Sequence, residues 1–273
     1  GITEKEGSIE HQKVQNGVDK WNREYGERSF TLQISASKAH TMEDKMCDLL
    51  SRGVVGIIIS QSTTDMDVHL AASMCKNFSV PCIGFNPPIA GHEYSMVSWI
   101  SPPRATLALA SSQFIRSLRW GSFIIAYEEE SDMEELASLL SVGPSSTGES
   151  RPIVKSKRIP KSEIQMELFL KEIRNKDKES NLVLQSDNIA TLFNLLQLAS
   201  ALNMTQPPYS YFVMHTDVAL LTDFLKNVYG TIQCNISGLS IVETNPRIKT
   251  EVALTTEAVF AIGKGLWKTI QSD

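Results

Sequence analysis

A surplus of basic residues is missing: 26 Lys and Arg stand against 31 Asp and Glu, a formal net charge of −5 over 273 residues. Neutralising phosphates takes clustered cations, so this balance argues against a nucleic-acid-binding surface. Long apolar runs are missing too. Crossing a bilayer takes about 18 or more consecutive apolar residues, and the longest tight run, residues 54–59, is broken by Gly56. The chain as given therefore reads as soluble. It starts at Gly1 with neither Met nor a charged-then-apolar leader, which reads as a processed product or a trimmed piece. With only 4 cysteines in a chain of this length, a small disulfide-stapled module is excluded.

Catalytic signatures are equally sparse. His11, His40, His69, His92 and His215 are scattered, with no i, i+4 pair and no cysteine at zinc spacing, so no metal site is expected. There is no G-x-S-x-G elbow, P-loop or G-x-G-x-x-G fingerprint. The expectation is a protein that is not an enzyme and carries no cofactor.

What is present is 42% hydrophobic residues arranged as short apolar runs alternating with amphipathic stretches. Residues 54–60, 80–85, 94–100, 122–127, 151–159, 181–185, 209–215 and 237–242 read as strands, and residues 30–34 alternate as a strand would. Between them lie helical patterns: Ile9 to Trp21, a Thr41-capped helix with Met42, Met46, Leu49 and Leu50, and one running through Met74. Another follows Pro102 and Pro103, and Ser131 with Glu134 and Ser162 with Gln165 cap two more. Asp187 caps a helix bearing Leu192 and Leu196, and the last helix covers residues 254–270. Strands alternating with helices imply βαβ crossovers and mostly parallel sheets. The expected organisation is α/β, with an upper lobe at 1–120, a lower lobe at 121–250 and a helix at 251–273 returning to the first lobe.

Ser60, Gln61, Ser62, Thr63 and Thr64 lie at the carboxyl end of a buried strand and the start of a helix, where open α/β sheets bind ligands. They read equally as a multiply capped helix start. In the second lobe, Tyr127 and Glu128 begin an acidic run through Asp132 at the corresponding place. Such a run repels an acidic ligand, or is simply a solvated loop. The basic stretch from Arg151 to Lys178 is compatible with a polyanion site but reads better as solvated strand and helix faces. Sequons at Asn77, Asn203 and Asn235 fall at helix ends or turns and lean towards a secreted, glycosylated chain. Cys75 and Cys82 flank a helix-to-strand turn and could pair. Cys47 and Cys234 fall in different lobes and are poor partners for each other.

Residues 7–22, 47–64, 74–85, 116–140, 209–221, 235–248 and 253–266 together resemble, in order and spacing, the amino-terminal domains of non-NMDA ionotropic glutamate receptors of the kainate and AMPA groups. The resemblance implies a bilobed, type I periplasmic-binding-protein-like clamshell with two doubly wound, mostly parallel sheets and helices on both faces. It implies a place on the extracellular face of the plasma membrane, on the postsynaptic side. There such a domain drives dimerisation and tetramer assembly with identical or related subunits, modulates gating and meets synaptic or auxiliary proteins. The agonist site and the membrane-embedded pore belong to other domains. The alternative is a clamshell of the same fold that binds an amino acid or small solute. The resemblance also implies a dimer interface on two helices, through Met42, Met46, Leu49, Leu50, Met66, Leu70 and Met74, so that Met46→Asp is expected to weaken dimerisation without unfolding the lobe. It pairs Cys47 with a cysteine beyond Asp273. It makes residues 248–254 shorter than in relatives.

Overall fold

The computed structural model describes all residues except 1, 3–6, 28–29, 37–38, 61–63, 86, 88–94, 129–132, 144–149, 230–232, 245–246 and 273. Ser131 and most of the 143–150 loop therefore lie outside the described residues. Contacts divide the chain into two units, Gly1–Pro103 with Thr250–Asp273, and Arg104–Lys249.

In the first unit, helix α1 (Ile9–Tyr25) starts where the Ser8 hydroxyl accepts the His11 N–H at 3.1 Å, an N-cap that satisfies an otherwise orphaned donor. Helix α2 (Met42–Ser51) starts at Thr41 and helix α3 (Asp65–Asn77) at Thr64 by the same device. The sheet is β1 (Ile57–Ile59), β2 (Cys82–Gly84) and β3 (Val97–Trp99), in that order and all parallel. Every residue of β1 and β2 is buried. Parallel strands covered on both faces need such uninterrupted apolar runs.

Helix α9 (Thr250–Ser272) packs along α1. Their seam is aromatic: the Trp21 indole stacks on Tyr25 at 4.6 Å and meets Phe260 edge-on at 5.4 Å. Gly263 makes the approach possible, because a Cβ there would lie 2.7 Å from the Trp21 ring.

Residues 30–34 do not form a ladder. Ile2 sits alone between Ala36 and Ile58, bridging both in parallel, so the stretch has no described partner strand beyond that point. A side chain takes the place of one. The Asn22 amide donates to Leu32 O at 2.9 Å and accepts the Leu32 N–H at 2.7 Å, copying the double bond of a strand neighbour.

Cys75 and Cys82 form a disulfide that ties the end of α3 to the start of β2. Closing so short a loop stabilises by about 2 kcal/mol. Cys75→Ser, or reduction, is expected to lower the unfolding free energy of the first unit by that amount, read as a lower urea midpoint. Identical midpoints with and without reductant contradict this.

In the second unit, helix α4 (Arg104–Ser117) leads to β4 (Ser122–Tyr127), α5 (Met133–Leu140), β5 (Ile153–Arg158) and α6 (Glu163–Glu172), which ends in a π-turn over Ile173–Asp177. Then come β6 (Asn181–Gln185), α7 (Ile189–Ala201), β7 (Ser210–Met214), α8 (Val218–Tyr229) and β8 (Asn235–Gly238). The sheet order is β5-β4-β6-β7-β8, all parallel. Ile124, Ala126, Leu182, Leu184, Tyr211 and Val213 face one core; Phe123, Ile125, Val183 and Phe212 face the other. This is the two-residue period of a strand, realised with apolar residues on both sides. Helix α4 belongs here because Ile115 joins the second of these cores and Phe114 lies 5.4 Å from Phe212.

Two local expectations shift. The cap of α7 is Asn188, whose side chain accepts the Ala190 N–H at 3.0 Å, while Asp187 instead pairs with Arg104 at 3.1 Å. The last strand runs over Asn235–Gly238 because its register is set by β7, Ser210 facing Asn235.

Candidate functional site

In a parallel α/β sheet the side chains that can meet a ligand stand at the carboxyl ends of the strands. At that edge of the first unit, Ser60 is buried directly after β1. Gln61, Ser62 and Thr63 lie outside the described residues. Thr64 caps α3, accepting the Asp67 N–H at 3.3 Å and donating to its carboxylate at 2.9 Å. Beside Ser60, α1 and α9 contribute Glu10, Lys13 and Glu251, with Lys13 bonded to the Glu251 carboxylate. The recess they line measures about 10 Å³, room for one water at most.

At the carboxyl edge of the second unit, Tyr127 is half-buried and Glu128 follows it. The Glu128 backbone is pinned: its N–H donates to Gln185 O at 3.1 Å and its carbonyl accepts Arg158 Nε at 3.3 Å. Its carboxylate reaches the start of α7, where it accepts the hydroxyls of Ser186 and Thr191. His215 stands at the end of β7, its Nδ1 accepting the Asp217 N–H at 3.0 Å. Ser186, Thr191 and His215 carried no signal in sequence. Ser186 and Thr191 lie 58 and 63 positions from Glu128, and only the sheet brings those three together.

Four lysines of the basic stretch form ion pairs, and an arginine bonds a carbonyl. Lys155 and Lys157 meet Asp177, Lys157 and Lys176 meet Glu172, Lys171 meets Glu167, and Arg174 donates to Leu202 O. Burial works against charge at both Lys157 and Asp177, yet their mutual hydrogen bonds and charges prevail. The ammonium is held above the ordinary lysine range and the carboxyl below the usual carboxylate one. Lysines along β5, an edge strand, also guard it against pairing with other chains. Cys234 is buried and its thiol is pushed up to about 11 by desolvation, the state of an inert structural cysteine. Among the described residues no three His, Cys, Asp or Glu side chains converge as a metal site, and no helix is long and apolar enough to cross a membrane.

The helices assigned to an interface divide sharply. Met42, Met46 and Leu49 are buried in their own unit, where Met42 and Met46 pack on Ile57, Ile59 and Val68. Leu50 and Met74 pack partly on that same core. The side chains of Met42, Met46 and Leu49 therefore have no surface to offer a partner, which corrects the expectation for α2. Helix α3 differs. It buries Val68, Ala71, Ala72 and Cys75 while Met66 is 79% and Leu70 38% exposed.

Asn77, Asn203 and Asn235 are all exposed, at the end of α3, after α7 and at the start of β8.

The family profile of the receptor family ligand binding region matches residues 19–263. That family has the type I periplasmic-binding-protein fold, with which two parallel, helix-covered sheets agree, and it is a class of receptor regions rather than of enzymes. The chain is similar to the kainate-type ionotropic glutamate receptor glr-3 of Caenorhabditis elegans, 25% identical over 210 residues, which are 73% of this chain and 23% of the relative. The chain thus spans about a quarter of that receptor's length.

Proposed function

Because the chain belongs to the family of receptor ligand-binding regions, we propose that it is the extracellular amino-terminal domain of a glutamate-gated cation channel subunit, pairing subunits and modulating gating without binding the agonist. The similarity to a kainate-type receptor supports the subunit identity. The observation that carries the pairing role is the face of α3. Met66 and Leu70 are one turn apart, pointing away from a helix otherwise anchored in its own core. An apolar i, i+4 pair left in water on a well-packed helix marks a contact surface. The occupant is a second copy of the chain or a related subunit, meeting the same helix across a two-fold axis.

Helical geometry also bounds that surface. Ser73 and Asn77 continue the stripe of Met66 and Leu70, all four exposed, and Asn77 stands about 16 Å along the axis from Met66 at 1.5 Å per residue. A glycan on Asn77 confines the contact to the first two turns of α3. Cell-surface exposure suits glycans at Asn203 and Asn235 as well. Cys47, exposed and not bonded among the described residues, then joins a cysteine outside them.

The double variant Met66→Asp/Leu70→Asp tests this. Both side chains are at the surface, so the fold is kept and the unfolding free energy stays within about 1 kcal/mol of the parent, while sedimentation velocity shows self-association weakened at least tenfold. A variant that associates like the parent contradicts the assigned face. The second reading, a solute-binding clamshell, predicts heat on titration with amino acids; the assembly reading predicts none with glutamate.

A further inference from the structure

The order β5-β4-β6-β7-β8 in the second unit reverses direction between β4 and β6. In doubly wound sheets that reversal opens the crevice in which ligands are held. Here the crevice already contains a carboxylate. Glu128 follows β4, Ser186 follows β6, and Thr191 lies in the first turn of α7.

We propose that Glu128 is a built-in occupant of the second unit's ligand position, a specificity determinant that closes this edge to acidic ligands such as free amino-acid carboxylates. The two hydroxyls it engages are deeply buried, Ser186 at 1% and Thr191 at 9% exposure. Each donates to a different carboxylate oxygen, Thr191 to Oε1 at 3.1 Å and Ser186 to Oε2. A hydroxyl has one proton to give. Ser186 Oγ accepts the Asn188 N–H at 2.9 Å, and its proton goes to Glu128 over the more distant Asn188 O at 3.2 Å. The clamp therefore has the chemistry of a carboxylate receptor, and its capacity is used up.

Two further contacts keep the occupant in place. The Glu128 N–H is bonded to Gln185 O and its carbonyl to Arg158 Nε, which fixes the backbone from which the side chain reaches, while the two hydroxyls hold the carboxylate itself. An incoming carboxylate needs the same two donors and meets a fixed like charge. The positive end of α7 favours an anion at this position, and Glu128 supplies it from within the chain. The cations at this edge are already engaged: Arg104 is paired with Asp187, and Arg158 gives its Nε–H to the Glu128 carbonyl.

The inference concerns the second unit alone and does not rest on the pairing role of α3, which lies in the first. Glu128→Ala, melted in sodium acetate and in sodium chloride at equal ionic strength, tests it. The variant is expected to melt several degrees below the parent in chloride, and acetate at tens of millimolar is expected to recover at least half of the loss. The parent is expected to melt equally in both salts. A variant that gains nothing from acetate over chloride, or a parent that gains as much as the variant, overturns the proposal. If the variant does not fold in chloride, its refolding yield in the two salts decides: recovery in acetate alone supports the clamp, and equal failure in both overturns it.

Discussion

Met46→Asp is expected to abolish cooperative folding of the first unit. Met46 is fully buried, in a core with Met42, Ile57, Ile59, Val68, Ala71 and Ala72. Removing its side chain alone costs about 2–5 kcal/mol in lost burial and cavity. The aspartate adds a carboxyl with no cation among those neighbours, worth several kcal/mol more whether it ionises or takes up a proton. The sum rivals the about 5–15 kcal/mol total stability of an ordinary domain. In a urea titration followed by circular dichroism the first unit's transition is lost, while the second unit, whose cores contain none of these residues, still unfolds cooperatively. A soluble variant with both transitions and weakened self-association contradicts the buried placement and restores α2 to the interface.

Trp21→Ala is expected to destabilise the same unit by about 3–5 kcal/mol. The indole is wholly buried between Tyr25, Phe30 and Phe260, its ring against Gly263, and its Nε1 donates to Phe30 O at 3.4 Å. It is a central contact between α9 and α1, so the loss falls on that seam. Because the Gly263 backbone cannot move into the hole without dragging the helix, the cavity stays open. Chemical denaturation measures it: the predicted result is a lower midpoint at unchanged slope, whose product gives that loss of free energy. A change below about 1 kcal/mol contradicts the seam.

Comparison with the sequence shows which signals are local. Strands β4 and β6 were legible to the residue, since a run such as Phe123 to Ala126 is apolar throughout and bounded by turns, as burial on both faces requires. The Ser162 cap was legible because a hydroxyl three residues before its donor is a short-range motif. Residues 30–34 alternate as a strand does, yet a strand exists only by virtue of a partner, and here Asn22 stands in for one. Asp187 and Asn188 are both good caps in sequence; the ion pair of Asp187 with Arg104, 83 positions away, is not written locally.

The expected interface residues show the same limit. Met42, Met46 and Leu49 on α2 and Met66 and Leu70 on α3 show the same helical spacing. Periodicity states that a stripe is apolar and not what it faces; only the burial of Val68, Ala71, Ala72 and Cys75 on the other side of α3 shows that Met66 and Leu70 point outward. Glu128 was legible as an acid at a carboxyl edge. Its pairing with Ser186 and Thr191 was not, because long-range contacts made by β6 and α7 leave no spacing to read.

The most direct test of the pairing role is sedimentation equilibrium of the unaltered protein across micromolar concentrations. The account predicts a reversible monomer–dimer equilibrium whose dimer fraction rises with concentration. A single monomeric species at every concentration contradicts it.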